Sequence, residues 1–112
     1  RIISISSING RKGQFGQSNY AATKAALFGF SKSLALEFAL KGITVNTISP
    51  GYIDTPMLSS IKPEVMDSII SAIPVGRLGK PEEIAEAVAF LSSPKAAFIT
   101  GANIDINGGQ YM

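Results

Sequence analysis

The sequence predicts an α/β fold in which parallel strands are joined by helical crossovers. Three observations point there. Short runs rich in Ile, Val and Thr occur near residues 2–6, 43–48 and 102–106. An Ala- and Leu-rich stretch separates the first two runs, and amphipathic stretches punctuated by Pro separate the second from the third. Polar or Gly-rich clusters close each run, so strands and helices alternate along the chain.

Each element has a local reason. Ile2 to Ser6 reads as a short strand whose Ile content suits burial. Asn9 to Gly16 reads as a polar, Gly-rich loop. A long helix is expected from Ser18 or Asn19, either of which can cap it, to Leu40. Lys41-Gly42 supplies a C-terminal charge and a Gly stop. Leu27, Phe30, Leu34 and Phe38 recur along it at helical spacing. Ile43 to Ile48 is the second strand, broken by Pro50-Gly51. The segment from Met57 to Ile73, punctuated by Pro56, Pro63 and Pro74, reads as one or two short amphipathic helices. Pro81 opens another helix that runs to about Ser92, with Glu82 and Glu83 at the positive end of its dipole. Ala102 to Ile106 is the last strand, ending at Asn107-Gly108-Gly109.

In parallel sheets, ligands gather beyond the carboxyl ends of the strands. Ser6-Ser7, Pro50-Gly51 and Asn107-Gly108-Gly109 all fall at those ends. The polar residues therefore converge on one edge of the sheet.

Composition narrows the chemistry. At 46% hydrophobic and 16% charged, the 112 residues can bury a core. The ten basic residues are scattered, the net charge is +2, and no basic stripe marks a nucleic-acid partner. The absence of His and Cys excludes Ser-His-Asp triads, thiol nucleophiles and Cys/His metal sites, and no metal is expected. No apolar run approaches the ~20 residues that span a bilayer, so no membrane partner is expected.

Without His, acid–base work near neutrality falls to another side chain. Tyr20 and Lys24 stand four apart in an Ala-rich helical setting, and so share one helix face. A phenol ordinarily loses its proton near pH 10. A cation held beside it favours the phenolate and makes the group a usable proton donor. Spacing alone also fits an ordinary surface pair. Likewise Ser7 alone fits a strand-end hydroxyl, and Pro50-Gly51 a turn.

The blocks taken together do more. Ile3-Ser4-Ile5-Ser6-Ser7, Tyr20-Ala-Ala-Thr-Lys24, Val45-Asn46-Thr-Ile-Ser-Pro50-Gly51, Ile53-Asp54-Thr55, Arg77-Leu78-Gly79, Pro81-Glu82-Glu83-Ile84-Ala85 and Ile99-Thr100-Gly101 through Gly109 follow in order. Ser7 precedes Tyr20 by 13 residues. This chain resembles the C-terminal half of a short-chain dehydrogenase/reductase across nearly its whole length. Within that family the chain looks most similar to the acetoacetyl-CoA reductases and the related 3-oxoacyl-(acyl-carrier-protein) reductases, and the loop Asn9 to Gln17 and the stretch Ser49 to Ile53 resemble the former more.

The resemblance implies a doubly wound, Rossmann-like parallel sheet and an NADPH-dependent reductase, with NADH as an alternative. It implies Tyr20 as proton donor, Lys24 as its activating cation and ribose contact, and Ser7 as hydrogen-bond donor to the substrate carbonyl. Tyr20, Lys24, Pro50, Gly51, Ile53 and Thr55 would bind the cofactor. Gln14, Phe15, Gln17 and Tyr52 would meet an acyl thioester of coenzyme A or acyl carrier protein. The segment from Met57 to Ile73 would be a lid. A cytoplasmic homotetramer is the implied full-length form.

The Gly-rich pyrophosphate turn and the residue selecting NAD or NADP are not among these residues. The chain is therefore expected to be residues 1–112 of a C-terminal catalytic half, without the N-terminal dinucleotide-binding half. Two other readings stay open: a reductase of another ketone, sugar or steroid, or a non-catalytic fragment or assembly module. A three-strand piece with an open edge and uncovered apolar faces should be oligomeric or poorly soluble by itself. Sedimentation velocity on the isolated 112 residues tests this, and a monodisperse, cooperatively unfolding monomer would refute it.

Overall fold

The computed structural model describes residues 1–112 throughout. Strands β1 (Ile2–Ile5), β2 (Val45–Pro50) and β3 (Asn103–Ile106) form one sheet in the order β1-β2-β3. Both pairings are parallel, with Ile2 opposite Val45 and Thr47 opposite Asn103. Helices α1 (Ile8–Lys12) and α2 (Ser18–Phe38) connect β1 to β2; α3 (Pro63–Ser71) and α4 (Pro81–Ser92) connect β2 to β3. The parallel α/β architecture and its crossovers are those the sequence predicts.

The two faces of the sheet differ in chemistry. On one, Ile48, Leu91 and Ala96 are fully buried, with Ile3, Ile84, Val88 and Ile104 packed around them. Fully burying a side chain such as Leu91 or Ile48 contributes about 1.5–3 kcal/mol. On the other face, strand alternation presents Ser4, Thr47 and Ser49 towards α2. Here the buried residues of α2 are Ser31 and Ala35, and the Ser31 hydroxyl donates to Ser4 Oγ at 3.4 Å. Small side chains let the helix lie close to the strands. For that reason Phe30 does not join the inward stripe predicted from spacing; it is 55% exposed. Leu27, Leu34 and Phe38 are half-buried beside that stripe.

The buried Asn46 and Ser49 side chains of β2 are paired. Asn46 is 1% exposed, yet its Nδ2 donates to the Ile99 carbonyl at 2.8 Å and its Oδ1 accepts from the Ala102 N–H at 3.0 Å. The Ser49 hydroxyl donates to Asn103 Oδ1 at 2.7 Å. These bonds hold the approach to β3 against β2. Satisfying both ends of a buried amide avoids a penalty of about 1–3 kcal/mol for each group left unpaired.

Boundaries move for identifiable reasons. Residues 9–12, expected as loop, fall within α1 because the Ser7 Oγ accepts from the Asn9 N–H at 3.1 Å and caps the turn. Gly13 ends α1 at φ 74°, a region that favours glycine. Helix α2 starts at Ser18 with Gln17 at the capping position, and neither Ser18 nor Asn19 caps it. Asn19 Oδ1 accepts from the neighbouring Tyr20 N–H instead. The helix tightens into a 3-10 turn at Ala39–Lys41, and Gly42 stops it at φ 71°. Strand β2 begins two residues later than expected and runs through Pro50. Pro50 is tolerated because β1 pairing ends at Ile48 and the Gly51 N–H takes up the bond to the Ile106 carbonyl.

Helix α1 lies against α2 at Gly10. A Cβ at this position would stand 2.9 Å from Lys24 Cβ and from the Ala25 backbone nitrogen. The Ser6 hydroxyl donates to the Lys24 carbonyl at 2.8 Å on the same side. On either side of the segment from Met57 to Ile73, Ile53 and Gly79 form an isolated parallel bridge, with Asp54 N–H to Gly79 O at 2.8 Å and Gly79 N–H to Tyr52 O at 2.9 Å. Arg77 clasps Glu83 through two bonds of 2.9 and 2.7 Å, and the Lys80 N–H adds a third at 2.7 Å.

Two tests follow from this packing. Gly10→Ala in the full-length protein should cost about 1–3 kcal/mol by overpacking, read as a lower urea midpoint. An unchanged midpoint would show that α1 can give way. The Arg77 hydrogen bonds, aided by the Lys80 N–H, lower the Glu83 carboxyl to about 2. A depressed carboxyl stabilises the fold above its unfolded value of 4.5, and that contribution fades as pH falls from there towards 2. Both side chains are more than 40% exposed, so the effect is small. The advantage of the parent over Glu83→Gln in urea midpoint should be present at pH 7 and vanish near pH 2; a difference constant with pH would contradict the ion pair.

Candidate active site

The carboxyl ends of β1 and β2 open into a cleft of about 730 Å³. One wall holds Ser7, Ile8 and Asn9 from the end of β1 and α1, with Gln17 and Tyr20 from the start of α2. Gly51, Tyr52, Ile53 and Thr55 follow β2 on the opposite side. Met57, Leu58, Ile61, Val65 and Ile69 close it with an apolar surface. This is the concave, mostly apolar site with a few convergent polar groups that small ligands use.

Ser7 is 9% exposed. Its Oγ accepts from the Asn9 N–H, which occupies a lone pair and leaves the hydroxyl proton free. The capping role that any strand-end serine could play therefore coexists with a free donor in the cleft. Tyr20 is 43% exposed, and its hydroxyl makes no hydrogen bond within the chain. Lys24 lies one turn further along α2. Its Nζ stands 5.7 Å from the Tyr20 ring centroid, within the range of a cation–π contact. Its direct acceptor is the Ile5 carbonyl at 2.9 Å. The ammonium is thus anchored to the end of β1 and lies over the ring, without a hydrogen bond to the phenol oxygen.

The structure brings Ser7, Gln17, Tyr20, Gly51, Tyr52, Ile53 and Thr55 onto one cleft surface. Lys24 supports that surface from behind, and Pro50 ends the strand beneath it. Gln14 and Phe15 are not brought there: they sit in an exposed turn, and Phe15 is 100% exposed. The turn closes from the Gln17 N–H to the Gln14 carbonyl, which directs only Gln17 to the wall. Asn9 joins the wall although sequence reasoning left it in a loop. The signal was available, since Ser7 two residues earlier is a good cap for a helical turn.

A nicotinamide ring carries a carboxamide with both donors and an acceptor. Ile53 and Thr55 match it: the Ile53 N–H and C=O and the Thr55 hydroxyl have no hydrogen bonds within the chain, and both residues line the cleft. The bridge to Gly79 engages only the flanking Tyr52 carbonyl and Asp54 N–H, which keeps the Ile53 groups free. These residues fit the group.

No helix of the chain is long and apolar enough to cross a membrane. The family model described as enoyl-(acyl carrier protein) reductase matches residues 1–110. The acetoacetyl-CoA reductase of Cupriavidus necator is 57% identical over 112 residues, covering all of this chain and 46% of the relative. That of Shinella zoogloeoides is 60% identical over 113 residues, covering 47% of its length. The 3-oxoacyl-(acyl-carrier-protein) reductase FabG of Escherichia coli is 54% identical over 112 residues and is covered to 46%. The chain spans slightly under half the length of these relatives. Matched along its length in sequence, and carrying a parallel sheet with a cleft at its strand ends, the chain belongs to the short-chain dehydrogenase/reductase family.

Proposed function

We propose that the full-length protein reduces a 3-oxoacyl thioester, of coenzyme A or acyl carrier protein, to the 3-hydroxyacyl thioester. The observation that carries this is the juxtaposition of two free hydroxyl donors, Ser7 and Tyr20, on one wall of a cleft whose other wall is apolar. The names of the relatives, acetoacetyl-CoA reductase and 3-oxoacyl-(acyl-carrier-protein) reductase, support the substrate class.

When bound, NADPH would supply the hydride that adds to the carbonyl carbon. The residues of this chain do the rest. The Ser7 O–H donates to the carbonyl oxygen and polarises it. Tyr20 gives its hydroxyl proton to the same oxygen as negative charge develops there, so the C=O becomes a CH–OH and Tyr20 is left as phenolate. Lys24, held by the Ile5 carbonyl, keeps a positive charge over the ring and stabilises that anion. Ile53 and Thr55 would hold the carboxamide of the nicotinamide through the free Ile53 backbone groups and the Thr55 hydroxyl. Tyr52 and Gln17 contact the acyl thioester, and Met57 to Ile69 exclude water from it. We further propose that the full-length protein is a homotetramer, a reading supported by the exposed Phe30, Leu36 and Leu40 of the α2 region.

Tyr20→Phe in the full-length protein tests the assignment. The lost hydroxyl has no partner within the chain, so the urea midpoint should barely change, whereas kcat with acetoacetyl-CoA and NADPH should drop about 10²–10⁴-fold. Retention of full activity would overturn the role of Tyr20. The family model also names an enoyl reduction. Turnover of crotonyl-CoA but not acetoacetyl-CoA by the parent would replace the ketone reading with that one.

A further inference from the structure

Asn9 is 8% exposed, and its Nδ2 donates to Gln17 Oε1 at 2.9 Å. Its own Oδ1 is buried without a partner. Both residues line the cleft. Turning both amides round would keep the bond between them but place the Asn9 Nδ2 protons where Oδ1 now lies, buried and unpaired. Orphaned buried donors are rarer in folded proteins than under-satisfied carbonyl acceptors. The pair therefore has one favoured polarity: the Gln17 oxygen turns to Asn9, and the Gln17 Nε2, which has no bond within the chain, keeps both its protons.

We propose that Asn9 is a positioning residue that sets the polarity of the Gln17 amide, so that the cleft selects ligands carrying a second carbonyl oxygen near the ketone. The inference rests on the thioester reading for the identity of that acceptor, the thioester carbonyl itself. A ligand offering only N–H groups at this point meets donors and is disfavoured. The division of labour within Asn9 is clean. Its backbone N–H holds Ser7 and survives any substitution but proline, whereas its side chain acts on Gln17 alone.

The test uses the full-length protein, Asn9→Asp, Gln17→Leu and the double variant, assayed with acetoacetyl-CoA. A carboxylate at position 9 can only accept, so Gln17 must reverse and turn its oxygen outward. KM should rise about tenfold in Asn9→Asp, with kcat changed less than about threefold. In the Gln17→Leu background, the same change at position 9 should add less than about twofold. An equal rise in KM with and without Gln17 would overturn the proposal. So would a collapse of kcat at unchanged urea midpoint, which would tie the Asn9 side chain to Ser7. A second readout needs neither turnover nor a variant: by nitrogen-15 NMR, the Asn9 side-chain protons should exchange with water far more slowly than those of exposed Gln14. Equal exchange would overturn the pair. If the parent fails to turn over acetoacetyl-CoA, the substrate reading falls, while the exchange measurement still decides whether Asn9 orients Gln17.

Discussion

The end of β1 is fastened to the second turn of α2 at Lys24, and the site depends on that fastening. Three contacts make it. The Ser6 hydroxyl donates to the Lys24 carbonyl, the Lys24 ammonium donates to the Ile5 carbonyl, and Gly10 lets α1 come down onto the Lys24 backbone. A strand end and a helix 18 residues away in sequence are thereby held in one geometry. Ser7 leaves the strand on one side of this joint and Tyr20 leaves the helix on the other. Their hydroxyls share a wall because the joint does not allow them to diverge. The same contacts explain why a lysine serves here. Its long stem spans from helix to strand end, and its charge is left over the ring of Tyr20.

The two faces of the sheet have different tasks. The face towards α4 is an ordinary apolar core built on Ile48 and Leu91. The face towards α2 is lined with Ser4, Thr47, Ser49, Ser31 and Ala35, which are small enough for the helix to approach the strands. A tight layer of small polar residues gives less burial energy than a layer of Leu and Ile, but it leaves α2 little freedom to slide. Rigidity is what the proton-donor role proposed for Tyr20, on the first turn of that helix, requires, since misplacement by an ångström can cost two orders of magnitude in rate.

The opposite wall of the cleft is organised by backbone. Gly79 bridges Ile53, the Arg77–Glu83 clasp holds the Gly79 turn, and the Val75 N–H binds the Gly108 carbonyl after β3. Gly51 and Asn107 approach so closely that a Cβ on the glycine would stand 2.8 Å from the Asn107 Cα. These ties anchor both ends of the apolar segment from Met57 to Ile69, while the segment between them spans the cleft mainly through its side chains.

Much of this was legible in the sequence. Strand runs, Pro and Gly punctuation and the Pro81 helix start are local signals, and the three strands and helices α2, α3 and α4 were found within a few residues, whereas α1 was read as loop. Ser7, Tyr20 and Lys24 were legible because their spacing combines with blocks that occur in order. What remained hidden depends on contacts between segments far apart in the chain. Helical spacing could not reveal that α2 would bury Ser31 and Ala35 and leave Phe30 outside, because that choice belongs to the small residues on the strands it meets. Nor could it show that Gln17 turns to the cleft while Phe15 stands in solvent, or that Asn9 reaches Gln17. The sequence by itself determined the parallel α/β order and marked Tyr20 and Lys24 as the candidate acid–base pair, because both are carried by short-range pattern. Only the tertiary structure decided which polar groups share the cleft and which way they point, because hydrogen-bond polarity and close approach are set by partners that sequence distance does not encode.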